Sequence, residues 1–203
     1  MLRCMLRLLF LALVLVGCGG ETRKLFHPEP SPTFTDDERK AVQAEIALLA
    51  KGKDPADIEA SAIYSETVQK LTSRGSKHET QLIEALAGNP DWAVRMGVLE
   101  VLQSIGSKNC IEAVINATKD AAPLVALHAN KLLEAMTGHR VIPVAGAPTS
   151  PEGLPPVPQR SADDLALDRE EKLWTVWHQE YAKQLHATWQ AWWKANRATV
   201  KVQ

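Results

Sequence analysis

Residues 79–106 read ETQLIEALAGNPDWAVRMGVLEVLQSIG, and this stretch decides the fold. Leu82, Ile83, Ala85 and Leu86 recur at helical spacing and make one short amphipathic helix. Gly88-Asn89-Pro90-Asp91 breaks it, because glycine and an Asn-Pro step both favour a turn. Val94, Val98, Val101, Leu102 and Ile105 then mark a second helix, which Gly106 closes. Two short helices with one apolar stripe each cannot bury those stripes alone. The unit therefore needs similar neighbours to stack on.

A second unit follows directly. Ile111, Val114 and Ile115 form its first helix. Leu124, Leu127, Leu132, Leu133 and Met136 form its second, which ends at Thr137-Gly138. Ile-Glu-Ala-Val at 111–114 echoes Ile-Glu-Ala-Leu at 83–86. Upstream, Thr35-Asp36-Asp37-Glu38 reads as a capping box. Val42, Ile46 and Leu49 carry that helix until Lys51-Gly52-Lys53 stops it. Asp54-Pro55 is expected to restart a helix with Pro55 at its first position. Ile58, Ala62, Ile63, Val68 and Leu71 would carry its stripe as far as Gly75. The Asp54-Pro55 step parallels Asn89-Pro90, so residues 36–78 are expected to form a third, degenerate unit.

The 79–106 unit resembles a HEAT repeat of the short bacterial type, the PBS-lyase HEAT-like class. The matching residues are Leu82-Ile83, Ala85-Leu86, Asn89-Pro90-Asp91, Val94-Arg95 and Ile105-Gly106. The resemblance implies that Arg95 packs and hydrogen-bonds between neighbouring turns, as a structural repeat residue. Some members of that class attach or detach bilin chromophores. The short chain and its expected compartment speak against that activity here.

Beyond the repeats, Val141 to Arg160 holds Pro143, Pro148, Pro151, Pro155, Pro156 and Pro158 and is expected to be a linker or an extended strap. The segment from Ser161 to about Val200 has neither proline nor glycine. Ser161 can cap it, with Asp163 and Asp164 at the positive end of a helix. Trp174, Trp177, Tyr181, Leu185, Trp189, Trp192 and Trp193 recur at three- and four-residue steps. Three readings of this stripe stand. The rings cap the open end of the repeats; or Trp174, Trp177, Tyr181, Trp189, Trp192 and Trp193 form a partner-binding patch, since Trp is enriched at binding hot spots; or they enter a membrane interface beside Lys172, Lys183, Lys194, Arg197 and Lys201. The ending resembles a closing segment that follows HEAT repeats in some bacterial proteins, here with a proline-rich insertion.

The start of the chain carries the compartment signal. Arg3 and Arg7 precede an apolar run from Leu8 to Val16, about half the length of a membrane-spanning helix. Leu15-Val16-Gly17-Cys18 resembles the lipobox of bacterial lipoproteins. This implies cleavage after Gly17, lipidation of Cys18 and a protein facing the periplasm or exterior. Gly19 after the cysteine, where an Asp would favour inner-membrane retention, points to the outer membrane. The stretch from Cys18 to Thr35, with Pro28, Pro30 and Pro32, reads as an extended tether.

Composition excludes several classes. Loss of Arg3 and Arg7 takes Lys plus Arg from 23 to 21 against 24 acidic residues, a mature charge of about −3. That argues against a nucleic-acid partner. Of the three cysteines, Cys4 leaves with the leader and Cys18 is lipidated. Cys110 then has no disulfide partner and reads as a small buried hydrophobe. The histidines, His27, His78, His128, His139, His178 and His186, show no metal-ligand spacing and read as surface or rim residues. No nucleophile elbow, phosphate loop or dinucleotide motif occurs, so no catalytic residue, metal or cofactor is expected.

The expected fold is all-α: a short HEAT-like solenoid over 36–140 with a long Trp-rich C-terminal helix or helical hairpin over 161–203. The expected role is a lipid-anchored adaptor or assembly factor for an envelope protein. The alternative is a small-ligand carrier or enzyme with a pocket between the repeats and the C-terminal helix.

Overall fold

The computed structural model describes residues 35–54, 56–158 and 168–201, with side chains in the last segment from Glu171 onward. Cys18, its lipobox, the tether before Thr35, Pro55, Ser161, Asp163 and Asp164 lie outside the described residues. Within them the chain is all-α, with seven helices: α1 Asp36–Leu48, α2 Ile58–Ser73, α3 Glu79–Gly88, α4 Trp92–Ile105, α5 Ile111–Ala117, α6 Pro123–Thr137 and α7 Asp168–Asn196. Tight 3-10 turns at Leu49–Lys53, Gly75–His78 and Lys108–Cys110 fill three of the connections.

The first six helices pack as three pairs in series. α1 lies on α2, α3 on α4, and α5 on α6. Between pairs, α2 meets α4, α4 meets α6, and α3 meets both α1 and α5. Two layers result, one of α1, α3 and α5 and one of α2, α4 and α6. α7 closes the last pair by lying against α5 and α6. A single buried cluster runs through the stack, from Val42 and Leu49 through Leu71, Leu82, Val98 and Leu102 to Ile111, Val114, Val125 and Leu133.

Local chemistry starts and stops the helices. The Thr35 hydroxyl accepts from Glu38 N at 3.2 Å, and the Glu38 carboxylate accepts from Thr35 N at 3.0 Å, which closes the capping box. Asp91 caps α4 by accepting from Ala93 N at 3.1 Å. Gly138 ends α6 in the left-handed region at φ 67°, where a side chain would be strained. The second helix starts later than Asp54-Pro55 suggests. Asp57 is its cap, accepting from Ala60 N at 3.0 Å. Asp54 instead folds back on Ala56 N at 2.9 Å. Ile58, expected in the apolar stripe, opens the helix at its outer edge and is 85 % exposed. Ala60, Thr67 and Leu71 make the buried face, with Ile63, Tyr64 and Val68 half-buried beside it.

The turns between paired helices share one device. Asp54, Asn89 and Asp120 each accept from the backbone N–H two residues on, at 2.9, 2.9 and 2.8 Å. Polar ties join these turns into a row. Lys53 Nζ reaches Asp91 at 2.7 Å. Arg95 donates from Nη1 to the Asn89 carbonyl at 2.7 Å, and from Nε and Nη2 to the two carboxylate oxygens of Asp120, also at 2.7 Å. At the opposite ends of α3 and α5, the Glu79 carboxylate accepts from the backbone N–H and the hydroxyl of Ser107.

Two glycines seat a tyrosine between the first pairs. A Cβ on Gly52 would come within 2.5 Å of the Tyr64 ring, and one on Gly97 within 2.9 Å of Leu49 and 3.1 Å of the same ring. Tyr64 Oη is buried without a hydrogen-bond partner, the one such side-chain atom among the described residues. Burial and the Glu100 carboxylate push its ionisation well above the ordinary tyrosine range.

Candidate functional site: the seat of the C-terminal helix

The tryptophan segment is one helix rather than a hairpin. Its apolar residues repeat at three- and four-residue steps, so they line one face, and that face is pressed against α5, α6 and the proline-rich segment. Trp174, Trp177, Trp189 and Trp193 are all buried. Each indole N–H finds an acceptor: Pro123 O at 2.7 Å, Pro155 O at 3.1 Å, Asn130 Oδ1 at 2.8 Å and Glu112 Oε1 at 3.4 Å, respectively. A buried indole wants such a partner, because its ring is apolar while its N–H is not.

This placement corrects one of the three readings of the stripe, the six-residue partner-binding patch. Four of the six rings are consumed inside the molecule. Only Tyr181 and Trp192 keep part of their surface. Trp192 stacks on His139 with ring centroids 4.5 Å apart and planes 6° from parallel, and His139 also meets the edge of Trp189. Burial holds His139 below the usual histidine range.

Three histidines are a second correction. His78, His178 and His186 were expected at the surface or rim, yet all three are buried. His178 Nε2 lies 3.0 Å from Thr118 O and His186 Nδ1 lies 2.9 Å from Ile115 O. Ile115 lies in the last turn of the seven-residue α5, and Thr118 is its C-cap. Ile115 O also accepts from Thr118 N at 3.1 Å and Thr118 Oγ1 at 2.7 Å, so His186 adds a further donor there. α7 thus supplies imidazole donors that finish α5. The signal was present in the sequence: His178 is four residues after Trp174 and His186 is three before Trp189, on the stripe that faces inward.

The proline-rich segment is a strap, not a bare linker. Val141, Ile142 and Leu154 are buried in the core cluster, and Val157 packs beside them. Glycines at positive φ turn it, Gly146 at 79° and Gly153 at 85°. Glu152 O accepts from Gln184 Nε2 of α7, so strap and helix hold each other.

Cavities around this seat are small. One of about 350 Å³ lies between α6, the strap and Trp174, lined by Leu127, Ile142, Pro143 and Val157 with Glu134 and Arg140 on its wall. Another of about 380 Å³ lies between α5 and the C-terminal end of α7. No group of three or more His, Cys, Asp or Glu residues among the described residues could hold a metal ion. Cys110 is fully buried, and burial pushes its thiol up to about 12, so it is not a nucleophile at neutral pH. No helix among the described residues is long and apolar enough to cross a membrane. No protein-family model matches the chain, and neither a curated protein nor a solved structure matches it.

Proposed function

We propose that this protein is a lipid-anchored adaptor or assembly factor of the bacterial envelope, tethered through Cys18 and presenting a HEAT-like solenoid to an envelope protein. The observation that carries this reading is the filled seat of α7. Its buried indoles are matched to acceptors and its buried histidines to helix carbonyls, so α7 acts as a lid that completes a rigid stack. A carrier or enzyme using that interface would need a deep pocket reached by Trp174, Trp177 and a histidine. The cavity beside Trp174 reaches neither Trp177 nor a histidine. Three serial helix pairs, with Asx turns at one end and Arg95 bridging two of them, support the HEAT-like reading. Short solenoids of this kind mostly present surfaces, which is an argument from fold analogy. The lipobox resemblance of Leu15-Val16-Gly17-Cys18 supports the anchor.

In-cell crosslinking of the tagged full chain, followed by mass spectrometry, tests the adaptor role. A reproducible envelope partner is expected. Its absence under conditions that capture a known envelope complex would overturn the reading. Cys18→Ala tests the anchor separately: the protein should leave the membrane fraction or stall before processing, and normal processing with membrane retention would refute lipidation. The second reading, a small apolar ligand beneath the strap, rests on the cavity lined by Leu127, Ile142, Val157 and Trp174.

A further inference from the structure

The cleft between α5 and the end of α7 joins an apolar floor to a basic rim. Its floor is Ile115 and the Trp193 ring, both buried. Its rim carries Lys194, in the last turn of α7, and Arg197, directly after the helix, whose N–H still bonds Trp193 O at 2.8 Å. Neither cation makes an ion pair among the described residues, whereas Arg74, Arg95 and Arg140 are each held by a carboxylate. The side-chain amides of Asn116 and Gln190 also open into the cleft. Lys108, outside the lining of the cleft, stands 5.7 Å from the centre of the Trp193 ring and donates to Val200 O at 3.3 Å. From Tyr181 to Gln203 the sequence has Lys183, Lys194, Arg197 and Lys201 and no acidic residue. Among the described residues that line the site, the one carboxylate, Glu112, sits on the α5 side, where it accepts the Trp193 indole N–H.

We propose that this cleft is the docking site for a short acidic segment of the partner protein, a carboxylate beside an apolar side chain. The proposal rests on the adaptor reading and names the chemistry of its partner. The carboxylate pairs with Lys194 and Arg197, the fork of Arg197 offering bidentate geometry. The neighbouring apolar side chain lies on Trp193 and Ile115. The amides of Asn116 and Gln190 meet the peptide backbone, and Glu112 turns an anion away from its own side, which sets the polarity of the bound segment. A cavity of about 380 Å³ accommodates a few side chains and lies at the small end of ligand pockets, about 300–1,000 Å³.

The test uses the full chain in detergent and a fluorescein-labelled octapeptide of alternating glutamate and leucine, read by fluorescence anisotropy. Binding is expected, weakening as salt rises. The variant Lys194→Glu/Arg197→Glu changes two exposed residues, should melt like the native chain, and is expected to lose at least tenfold in affinity. Lys183→Glu, on the same helix but outside the cleft, should bind as the native chain does. A peptide with glutamine in place of glutamate should not bind. Equal loss in Lys183→Glu would mean that net charge alone attracts the peptide and would overturn the cleft. So would full binding by the double variant, no binding by the native chain, or capture of phosphatidylglycerol vesicles through Lys194 and Arg197 without peptide binding. Crosslinking of the double variant separates the two readings: a partner still captured leaves the adaptor standing and refutes this docking site. Peptide binding with no cellular partner for the native chain refutes the adaptor alone.

Discussion

The indole N–H of Trp189 donates to Asn130 Oδ1 at 2.8 Å, and both residues are buried. This bond pins α7 to α6 where no water competes for either group. Trp189→Phe retains an aromatic ring but leaves the Asn130 oxygen without its donor. An unsatisfied buried acceptor costs about 1–3 kcal/mol, beyond the lost indole area. Asn130→Leu on that background should recover part of the loss, since removing both polar partners is nearly neutral. Urea titrations of the single and double variants measure this. An unchanged midpoint for Trp189→Phe would show that the bond contributes nothing.

Arg95 and Asp120 are a second case of a mostly buried pair, with side chains 13 % and 10 % exposed. Arg95→Met should destabilise the stack by about 3–5 kcal/mol, because it strands the Asp120 carboxylate. Arg95→Lys should rescue little, as an ammonium cannot reach both oxygens and the Asn89 carbonyl in one plane. A lysine variant with native stability would show that charge alone suffices. Arg95→Met in an Asp120→Asn background should cost less than in the native chain.

Glycine substitutions should have opposite signs at two positions. An alanine at Gly52 drives its Cβ into the Tyr64 ring, which also lies close to Gly97. Overpacking of this kind costs about 1–3 kcal/mol. Gly88, the last residue of α3, has nothing within 4 Å of a built Cβ and no positive φ. Gly88→Ala should be neutral or stabilise by up to about 1 kcal/mol through the unfolded chain. Thermal melts of both variants check the contrast, and equal effects would remove the steric explanation.

Acid should destabilise the fold in two steps. Burial lowers the proton affinity of His128 and His139 in the folded chain. The unfolded chain therefore binds protons first, and the stability these residues contribute is complete above the unfolded histidine value of about 6.5. It is lost as pH falls through that value towards the folded ones. Glu45 follows lower down. Hydrogen bonds from Arg74, at 2.7 and 2.6 Å, hold its carboxyl below the usual range, so its contribution persists through the first step and fades as pH falls through the carboxylate range. Melts between pH 8 and about pH 2 should show both steps. His128→Gln/His139→Gln should flatten the first and leave the second. An unchanged first step would mean that other groups set it.

Much of this fold was legible because its signals are local. The Thr35 capping box, the Asn89-Pro90-Asp91 break, and the closures at Gly106 and Gly138 depend on residues within a few positions of each other. The start of α2 lies later than the sequence suggests because Asp54 and Asp57 can both cap a helix, and it is Asp57 that accepts from Ala60 N while Asp54 closes a turn on Ala56 N. Tyr64 was invisible, since its seat is made by glycines in two other segments. The inward stripe of α7 could be read, but not what it covers. His178 and His186 looked polar and exposed because their acceptors lie 60 and 71 residues away. Leu154 was lost among the prolines around it, although it is fully buried in the core.

That strap has an evolutionary consequence. Its length is nearly silent in energy, because closing a loop grows costlier only as the logarithm of its length, about 0.6 kcal/mol per doubling. Insertions and deletions between Pro143 and Pro158 should therefore be tolerated wherever they let Leu154 reach its pocket and α7 reach α5. During synthesis the same arrangement sets an order. The indole seats of the last pair stay open, and the carbonyl of Thr118 lacks its imidazole partner, until α7 has left the ribosome. Any interruption of translation inside the strap leaves a stack with an unsealed edge.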